Sequence, residues 1–211
     1  MDWKGIIVYD SETGEEVKNY PADNGLIDTN PALYVEYSKG GNYLTYNCWM
    51  NYSKLINLKT DSIEIETENY CYFSTISPDE TKYATNRVEG VEIFDINSKQ
   101  KLWGIDHDYY DILLFLPKSN YLCIGKSFHN FLIYQVKSNK LIAQTNFGLK
   151  DAVFTNDGNY LLITNGAKVT LYNISNVTSV NDGESSDLRT NIIQNIFQIP
   201  QRIISPSILP F

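Results

Sequence analysis

The sequence predicts an all-β fold made of repeated four-stranded antiparallel units, and three observations predict it. First, residues 34–47, 73–86, 112–125 and 151–164 line up with one another, each an apolar run, a polar turn and a second apolar run. Second, the register holds residue by residue: Tyr37, Ile76, Phe115 and Phe154 follow one another at intervals of 39. Tyr43, Tyr83, Tyr121 and Tyr160 are equivalent too, with one extra residue in the second turn. Third, each unit carries further runs of about five residues, rich in β-branched and aromatic side chains and punctuated by turn residues every 8–12 positions, which is strand spacing. A fixed period near 40 residues means units that bury their faces against one another, and four strands per period is the pattern of a β-propeller blade.

In chain order, residues 5–10 and 15–18, parted by the turn Ser11-Glu12-Thr13-Gly14, read as the last two strands of a blade. The first full unit joins the 34–47 hairpin to strands at 54–57 and 62–66. The second joins 73–86 to 91–95 and 101–105, and the third joins 112–125 to 131–135 and 140–144. The fourth joins 151–164 to 169–173 and shows no obvious outer strand after Asn173. Gly40-Gly41-Asn42 and Asp157-Gly158-Asn159 are equivalent strand-to-strand turns, so their glycines serve positive φ and not phosphate binding. The repeated tyrosines at 43, 83, 121 and 160 mark blade packing.

Residues 1–175 are thus expected to form the propeller repeats, four to five blades in this chain, either incomplete or closed by the chain ends. Residues 176–211 are expected to be a linker and C-terminal tail that packs on or completes the propeller. Within the tail, 175–190 is rich in Ser, Asn, Asp and Gly and reads as loop. Ile192, Ile193, Ile196 and Phe197 stand at one-face helical spacing, although an irregular strand fits them as well. Pro200, Pro206 and Pro210 then forbid long regular structure. An open stack of blades exposes strand edges, so three resolutions compete: completion by the tail from Leu188, a fragment of a longer propeller, or two copies completing one another. The start in mid-blade favours a fragment or a chain-end closure over a simple self-contained ring, and self-association is expected if the ring is open.

Composition narrows the function. Hydrophobic residues make up 43% of 211 and aromatics 13%, with Tyr 16, enough to bury a sizeable core. The net charge of −8 forms no basic stripe, so nucleic acid is not an expected partner. No apolar run approaches the ~18 residues that span a bilayer, so no membrane partner is expected. Residues 1–5 lead into a strand without the apolar stretch of a secretory signal. Cys48, Cys71 and Cys123 are odd in number and widely spread, neither a disulfide framework nor a metal pair. These point to a cytoplasmic, reduced location, with the nucleus open, and the sequons at Asn51, Asn173 and Asn176 carry little weight there.

No catalytic motif emerges. His107 lies in Asp106-His107-Asp108-Tyr109-Tyr110-Asp111, where aspartates flank a histidine, but no second histidine or calcium-loop glycine stands at fixed spacing. A solvated or structural loop is the expectation there, and a turn residue for His129. There is no GxSxG, no P-loop and no GxGxxG. No metal, cofactor or catalytic residue is expected.

The chain resembles the WD-repeat family at particular residues. The stretch Ile76-Ser77-Pro78-Asp79-Glu80-Thr81-Lys82-Tyr83-Ala84-Thr85-Asn86, followed by Gly90-Val91-Glu92-Ile93-Phe94-Asp95, is similar to that family's turn-plus-strand pattern. Asp10 and Asp95 stand at the aspartate of its tryptophan–aspartate pair, with Tyr9 and Phe94 for the tryptophan. Asn57, Gln135 and Asn173 replace the aspartate elsewhere, and Gly104 with His107 is a trace of the glycine–histidine pair, two residues further apart than usual. The resemblance spans roughly residues 5–175.

It implies a noncatalytic interaction platform that binds a protein or peptide partner. Connections between blades, and those from second to third strand, emerge on one face of a propeller, and loops on a rigid scaffold carry recognition. Here they hold Trp49, Met50, Tyr52, Tyr70, Tyr109, Tyr110 and Phe128, with acidic Glu68, Glu89, Asp106, Asp108 and Asp111 and basic Arg87, Lys126, Lys150 and Lys168. The candidate partner-binding residues are Trp49, Tyr52, Tyr70, Arg87, Tyr109, Tyr110 and Phe128; the alternative is that these aromatics fold back on blade edges. A second class of function is the propeller part of an enzyme, for example a peptidase-associated or hydrolase propeller. Fold alone does not choose between the two.

Overall fold

The computed structural model describes residues 5–21, 32–48, 52–68, 71–106, 110, 112–117, 120–125, 131–144, 151–155, 157, 159–164 and 169–173. Among them the regular structure is all strand, in two compact units, Met1–Tyr109 and Tyr110–Phe211. The first unit holds a hairpin, β1 (Gly5–Tyr9) with β2 (Glu16–Pro21), and two four-stranded sheets. One sheet is β3 (Ala32–Tyr37), β4 (Tyr43–Cys48), β5 (Tyr52–Asn57) and β6 (Ser62–Glu68); the other is β7 (Phe73–Ile76), β8 (Lys82–Arg87), β9 (Gly90–Asp95) and β10 (Lys101–Asp106). The second unit holds the sheet β11 (Ile112–Phe115), β12 (Tyr121–Gly125), β13 (Phe131–Gln135) and β14 (Lys140–Gln144). It also holds the three-stranded sheet β15 (Asp151–Phe154), β16 (Tyr160–Thr164) and β17 (Val169–Asn173). Each sheet pairs chain neighbours in antiparallel order, as the repeat predicts.

The turns explain the repeat in physical terms. Gly14, Asp61, Lys99 and Asn139 all have positive φ, of 71°, 53°, 59° and 53°. Each lies four residues after Asp10, Asn57, Asp95 or Gln135. Three of those four residues accept backbone N–H groups of the turn: Asp10 from Glu12 and Thr13, Asn57 from Lys59 and Thr60, Asp95 from Ser98. Gln135 accepts the Ser138 hydroxyl. What the position needs is a side-chain acceptor, which is why Asn stands in for Asp there. A register shift accompanies the pairing beside all four turns, between Val8 and Tyr9, Leu55 and Ile56, Lys101 and Trp103, and Ile133 and Tyr134. A bulge after a left-handed residue is a recurring hairpin solution. Since β1–β2 shares it, that hairpin matches the third and fourth strands of a unit.

The turn between first and second strands is built on hydroxyls. Ser38, Ser77 and Thr155 each accept the backbone N–H of the residue five further on, at 2.9, 2.8 and 3.1 Å. Leu116 occupies the equivalent place in the third unit without a hydroxyl and keeps the backbone bond to Tyr121 O at 2.9 Å.

In the first unit the sheets pack face to face. Ile6 and Tyr20 of the hairpin bury against Leu44, Tyr46 and Ile56, with Val8, Tyr52 and Leu58 at the margin. The opposite face of that sheet, through Leu55 and Ile65, buries Ile76, Tyr83 and Ile96 of the next. Polar residues line the same seam. Tyr83 is fully buried and its hydroxyl meets Ser53 Oγ and, at 3.2 Å, Thr45 Oγ1. Thr45 Oγ1 also reaches Lys54 O at 3.0 Å and Ser74 Oγ at 2.7 Å, and Ser74 donates to Asn47 Oδ1 at 2.5 Å. Burial pushes the Tyr83 phenol up to about 12.

Two carboxylates pin the seam elsewhere. Glu36 accepts from Thr75 Oγ1 at 3.1 Å, Ile76 N at 3.4 Å and Tyr34 OH at 3.0 Å, and burial raises its pKa against those donors. Glu80 reaches back to the β3–β4 turn, accepting from Ser38 Oγ at 2.5 Å and from Asn42. Burial pushes Glu80 up, but those donors outweigh it and leave its pKa lowered. Its carboxylate lies so close to Gly40 that a Cβ there would meet Oε1 at 2.6 Å, while Gly41 supplies the turn's φ of 75°.

The tyrosine repeat behaves unevenly. Tyr83 and Tyr121 are buried and Tyr43 packs at the edge of the core. Tyr160, in contrast, is 37% exposed. It shares a face with Val153, Leu162 and Leu171, which form one cross-strand row on β15–β17. Val153 and Leu171 are exposed as well, so this face of the last sheet is open where the others are covered. The tail at 176–211 lies outside the described residues.

Candidate functional site

The strand ends of the first unit that carry the β4–β5, β6–β7 and β8–β9 connections form the candidate site. The β8–β9 connection is two residues, Val88 and Glu89, both exposed. Arg87 closes β8 opposite Gly90, whose φ is 138°. Its guanidinium Nη2 sits 2.9 Å from Glu92 Oε1, and Lys101 Nζ sits 2.6 Å from the same oxygen. Glu92 is only 8% exposed, so one buried carboxylate holds two cations and leaves the cluster net positive. A charge is tolerated inside a strand when it is paired in this way. The Arg87 Nε is buried with no acceptor in reach.

The start of β7 is tied to the same place. Asn86 Oδ1 accepts the backbone N–H groups of Tyr72 and Phe73, at 3.3 and 2.9 Å. Cys71 is fully buried, its sulfur 3.3 Å from Thr67 Oγ1, and burial pushes its thiol pKa up, against the donors Thr67 and Thr85. Burial raises the Cys123 thiol further still. A nucleophilic cysteine needs the opposite shift. On the neighbouring sheet, Asn47 is fully buried; its Oδ1 accepts from Ser74 while its Nδ2 has no acceptor.

Of the predicted recognition residues, the structure describes Tyr52, Arg87 and Tyr110. Tyr52 is the first residue of β5, not a loop residue. Its ring stands edge-on to Tyr46 at 6.5 Å and lies under the Lys54 ammonium at 4.6 Å, in contact with the core cluster of Ile6 and Leu44. Tyr110 belongs to the second unit and is buried, at 8% exposure. Arg87 stands at the strand end as expected. Trp49, Tyr70, Tyr109 and Phe128 lie outside the described residues, as do His107 and His129. Glu92, Lys101 and Val88 were missed. The signal available for Glu92 was a carboxylate inside the apolar run Val91-Glu92-Ile93-Phe94, which demands a paired cation. Among the described residues no three His, Cys, Asp or Glu side chains gather as a metal site, and no helix is long and apolar enough to cross a membrane.

The chain is similar in structure to the Cps50 (Swd1) beta-propeller domain of Myceliophteria thermophila, with a TM-score of 0.68 at 14% sequence identity. The fold is a β-propeller. The likeness covers 84% of this chain and 61% of that one, so the chain spans about three fifths of the length of that domain. No family model and no curated protein matches the sequence. In propeller terms the hairpin β1–β2 is an outer half-blade, β3–β6, β7–β10 and β11–β14 are four-stranded blades, and β15–β17 is a blade of three described strands.

Proposed function

We propose that this propeller is a noncatalytic platform that holds a protein segment at the β8–β9 end of the sheet, where Arg87 and Val88 stand and Glu92 anchors Arg87 together with the Lys101 side chain. The observation that carries the reading is the Arg87 guanidinium. Glu92 fixes it in place from one side, while its Nε is buried without an acceptor. That Nε is sealed from solvent, so a partner's peptide carbonyl or carboxylate meets the exposed part of the Arg87 side chain, 21% accessible, in a charge-assisted hydrogen bond. Val88, 46% exposed at the tip of the adjoining turn, supplies an apolar contact, and Glu89 and Glu68 supply a polar rim. Arg is well suited to such a role because its planar fork is pre-oriented once one side is held. Trp49, Tyr70 and Tyr109 are proposed from the sequence as further partner-binding residues, and cytoplasmic residence agrees with the free thiols of Cys71 and Cys123.

The test is affinity capture on the immobilised chain, comparing wild type with Arg87→Ala, Val88→Asp and Trp49→Ala. A protein retained by wild type and lost from the Arg87 and Val88 variants supports the proposal. Identical retention on all four sinks it.

A further inference from the structure

A second surface lies at the hairpin. Among the described residues β1 pairs with β2 alone, and its other edge meets no described strand. The packing fixes which way that edge faces. On the β3–β6 sheet, Val35 is in register with Tyr46 and Lys54, and Tyr37 with Leu44 and Ile56, all on one face. Ile6 of β1 covers Leu44, Tyr46 and Ile56, while Lys18 of β2 reaches Leu58 O at 3.0 Å and Tyr20 of β2 donates to Asp61 at 3.1 Å. Thus β2 lies toward β6, and the free edge of β1 lies toward β3. There the covering stops: Val35 is 46% and Tyr37 52% exposed. The Tyr37 ring is held in place by its hydroxyl, which donates to Gly41 O at 3.3 Å.

A slot results, with a strand edge as one wall and Val35 and Tyr37 as its floor. An unpaired edge above an apolar floor is what strand addition requires, with backbone bonds for affinity and a side-chain pocket for choice. Charge selects the occupant. The hairpin turn at the C-terminal end of β1 holds Asp10, Glu12, Glu15 and Glu16, while the facing turns contribute Lys39 and Lys59. The balance is negative at that end of the slot. Every strand pair among the described residues is antiparallel, and a strand added in the same sense enters with its N-terminus beside those carboxylates.

We propose that the slot docks one extended segment of a partner protein, antiparallel to β1, apolar where it crosses Val35 and Tyr37 and basic at its N-terminal end. The test uses a fluorescein-labelled octapeptide, two lysines followed by alternating threonine and valine, with anisotropy for binding and amide hydrogen exchange for place. Binding is expected to slow exchange at the β1 amides. It is expected to weaken about ten-fold on Val35→Asp, which sets a charge against the buried strand. Replacing the two lysines by glutamates, or moving them to the C-terminus, is expected to weaken it about three-fold, the scale of exposed ion pairs. Circular dichroism of Val35→Asp checks that this exposed substitution leaves the fold intact. No binding, equal binding of the lysine-first and lysine-last peptides, or unchanged binding to Val35→Asp overturns the proposal. So does protection of the β1 amides in the free chain: if independent of protein concentration it assigns the slot to the chain's own residues, and if concentration-dependent to a second copy.

Discussion

Tyr83→Phe isolates the polar seam of the first unit. The substitution keeps the ring between Leu55, Ile65 and Ile76 and removes one hydroxyl. Thr45 Oγ1 retains Lys54 O and Ser74 Oγ, but Ser53 Oγ, in a fully buried residue, loses its bond to Tyr83. Leaving one buried hydroxyl unsatisfied costs about 1–3 kcal/mol. At a urea slope of about 1–3 kcal/mol/M, that moves the midpoint down by roughly 1 M. The assay is urea unfolding by tryptophan fluorescence, which reports this unit alone because Trp3, Trp49 and Trp103 all fall within Met1–Tyr109. The double variant Tyr83→Phe/Ser53→Ala removes both partners and is expected to be more stable than Tyr83→Phe by itself. Alkaline pH gives a second handle. The folded phenol titrates at about 12 against an ordinary 10.0, so its stabilisation is complete below pH 10 and is lost as pH rises through 12. Two units correspond to about 3 kcal/mol at most, so the gap between wild type and Tyr83→Phe closes or reverses across that window. A Tyr83→Phe variant with the wild-type midpoint, or a double variant weaker than the single, would refute this account of the seam.

Two further substitutions probe carboxylates whose shifts run in opposite directions. Burial raises Glu36 above its ordinary 4.5, so ionisation works against the fold. Wild-type stability relative to Glu36→Gln is therefore greatest in acid and falls as pH rises through 4.5 and beyond; a flat difference from pH 3 to 8 counts against the buried placement of Glu36. Asp95 is lowered to about 2 from 3.8 by the Ser98 backbone N–H and by Lys82, 2.9 Å away. Its stabilisation is present above pH 3.8 and lost as pH falls through 2, so Asp95→Asn costs about 1 kcal/mol at neutral pH once solvent screening is allowed for, and only a small part of that at pH 2. An equal deficit at both pH values contradicts the assignment.

Much of this architecture was legible in the residues. The 39-residue register placed the strands within a residue or two, and the equivalence of Asp10, Asn57, Asp95 and Gln135 identified the hairpin β1–β2 as an outer half-blade. The seam was less legible. Thr45, Asn47, Ser53 and Ser74 are residue types that usually face water, and the period-2 pattern tells which face a residue takes but not whether another sheet covers it. For the same reason Tyr160 reads as a packing tyrosine but stands 37% exposed. At the candidate site, Arg87 was identifiable as a basic residue beside a two-residue turn. Its anchor Glu92 was not, because the pairing of β8, β9 and β10 is what brings Arg87 and Lys101 to one carboxylate. Tyr52 was assigned to a loop because Trp49, Met50 and Tyr52 form one aromatic cluster in the sequence; the ladder with β6, where it stands opposite Glu68, claims it for a strand.

The neighbours-only pairing of the sheets has a consequence for how the molecule is made. Among the described residues no ladder joins strands that are distant in the chain, so the ends brought together there are one short turn apart. Loop-closure entropy is small for such contacts, and low contact order favours fast folding. Each sheet can therefore form as its own stretch of chain leaves the ribosome, before the next has been synthesised. The same locality makes one period a heritable module: a duplication of about 39 codons adds a sheet that brings its own turns and hydrogen bonds, and needs only a face to pack on.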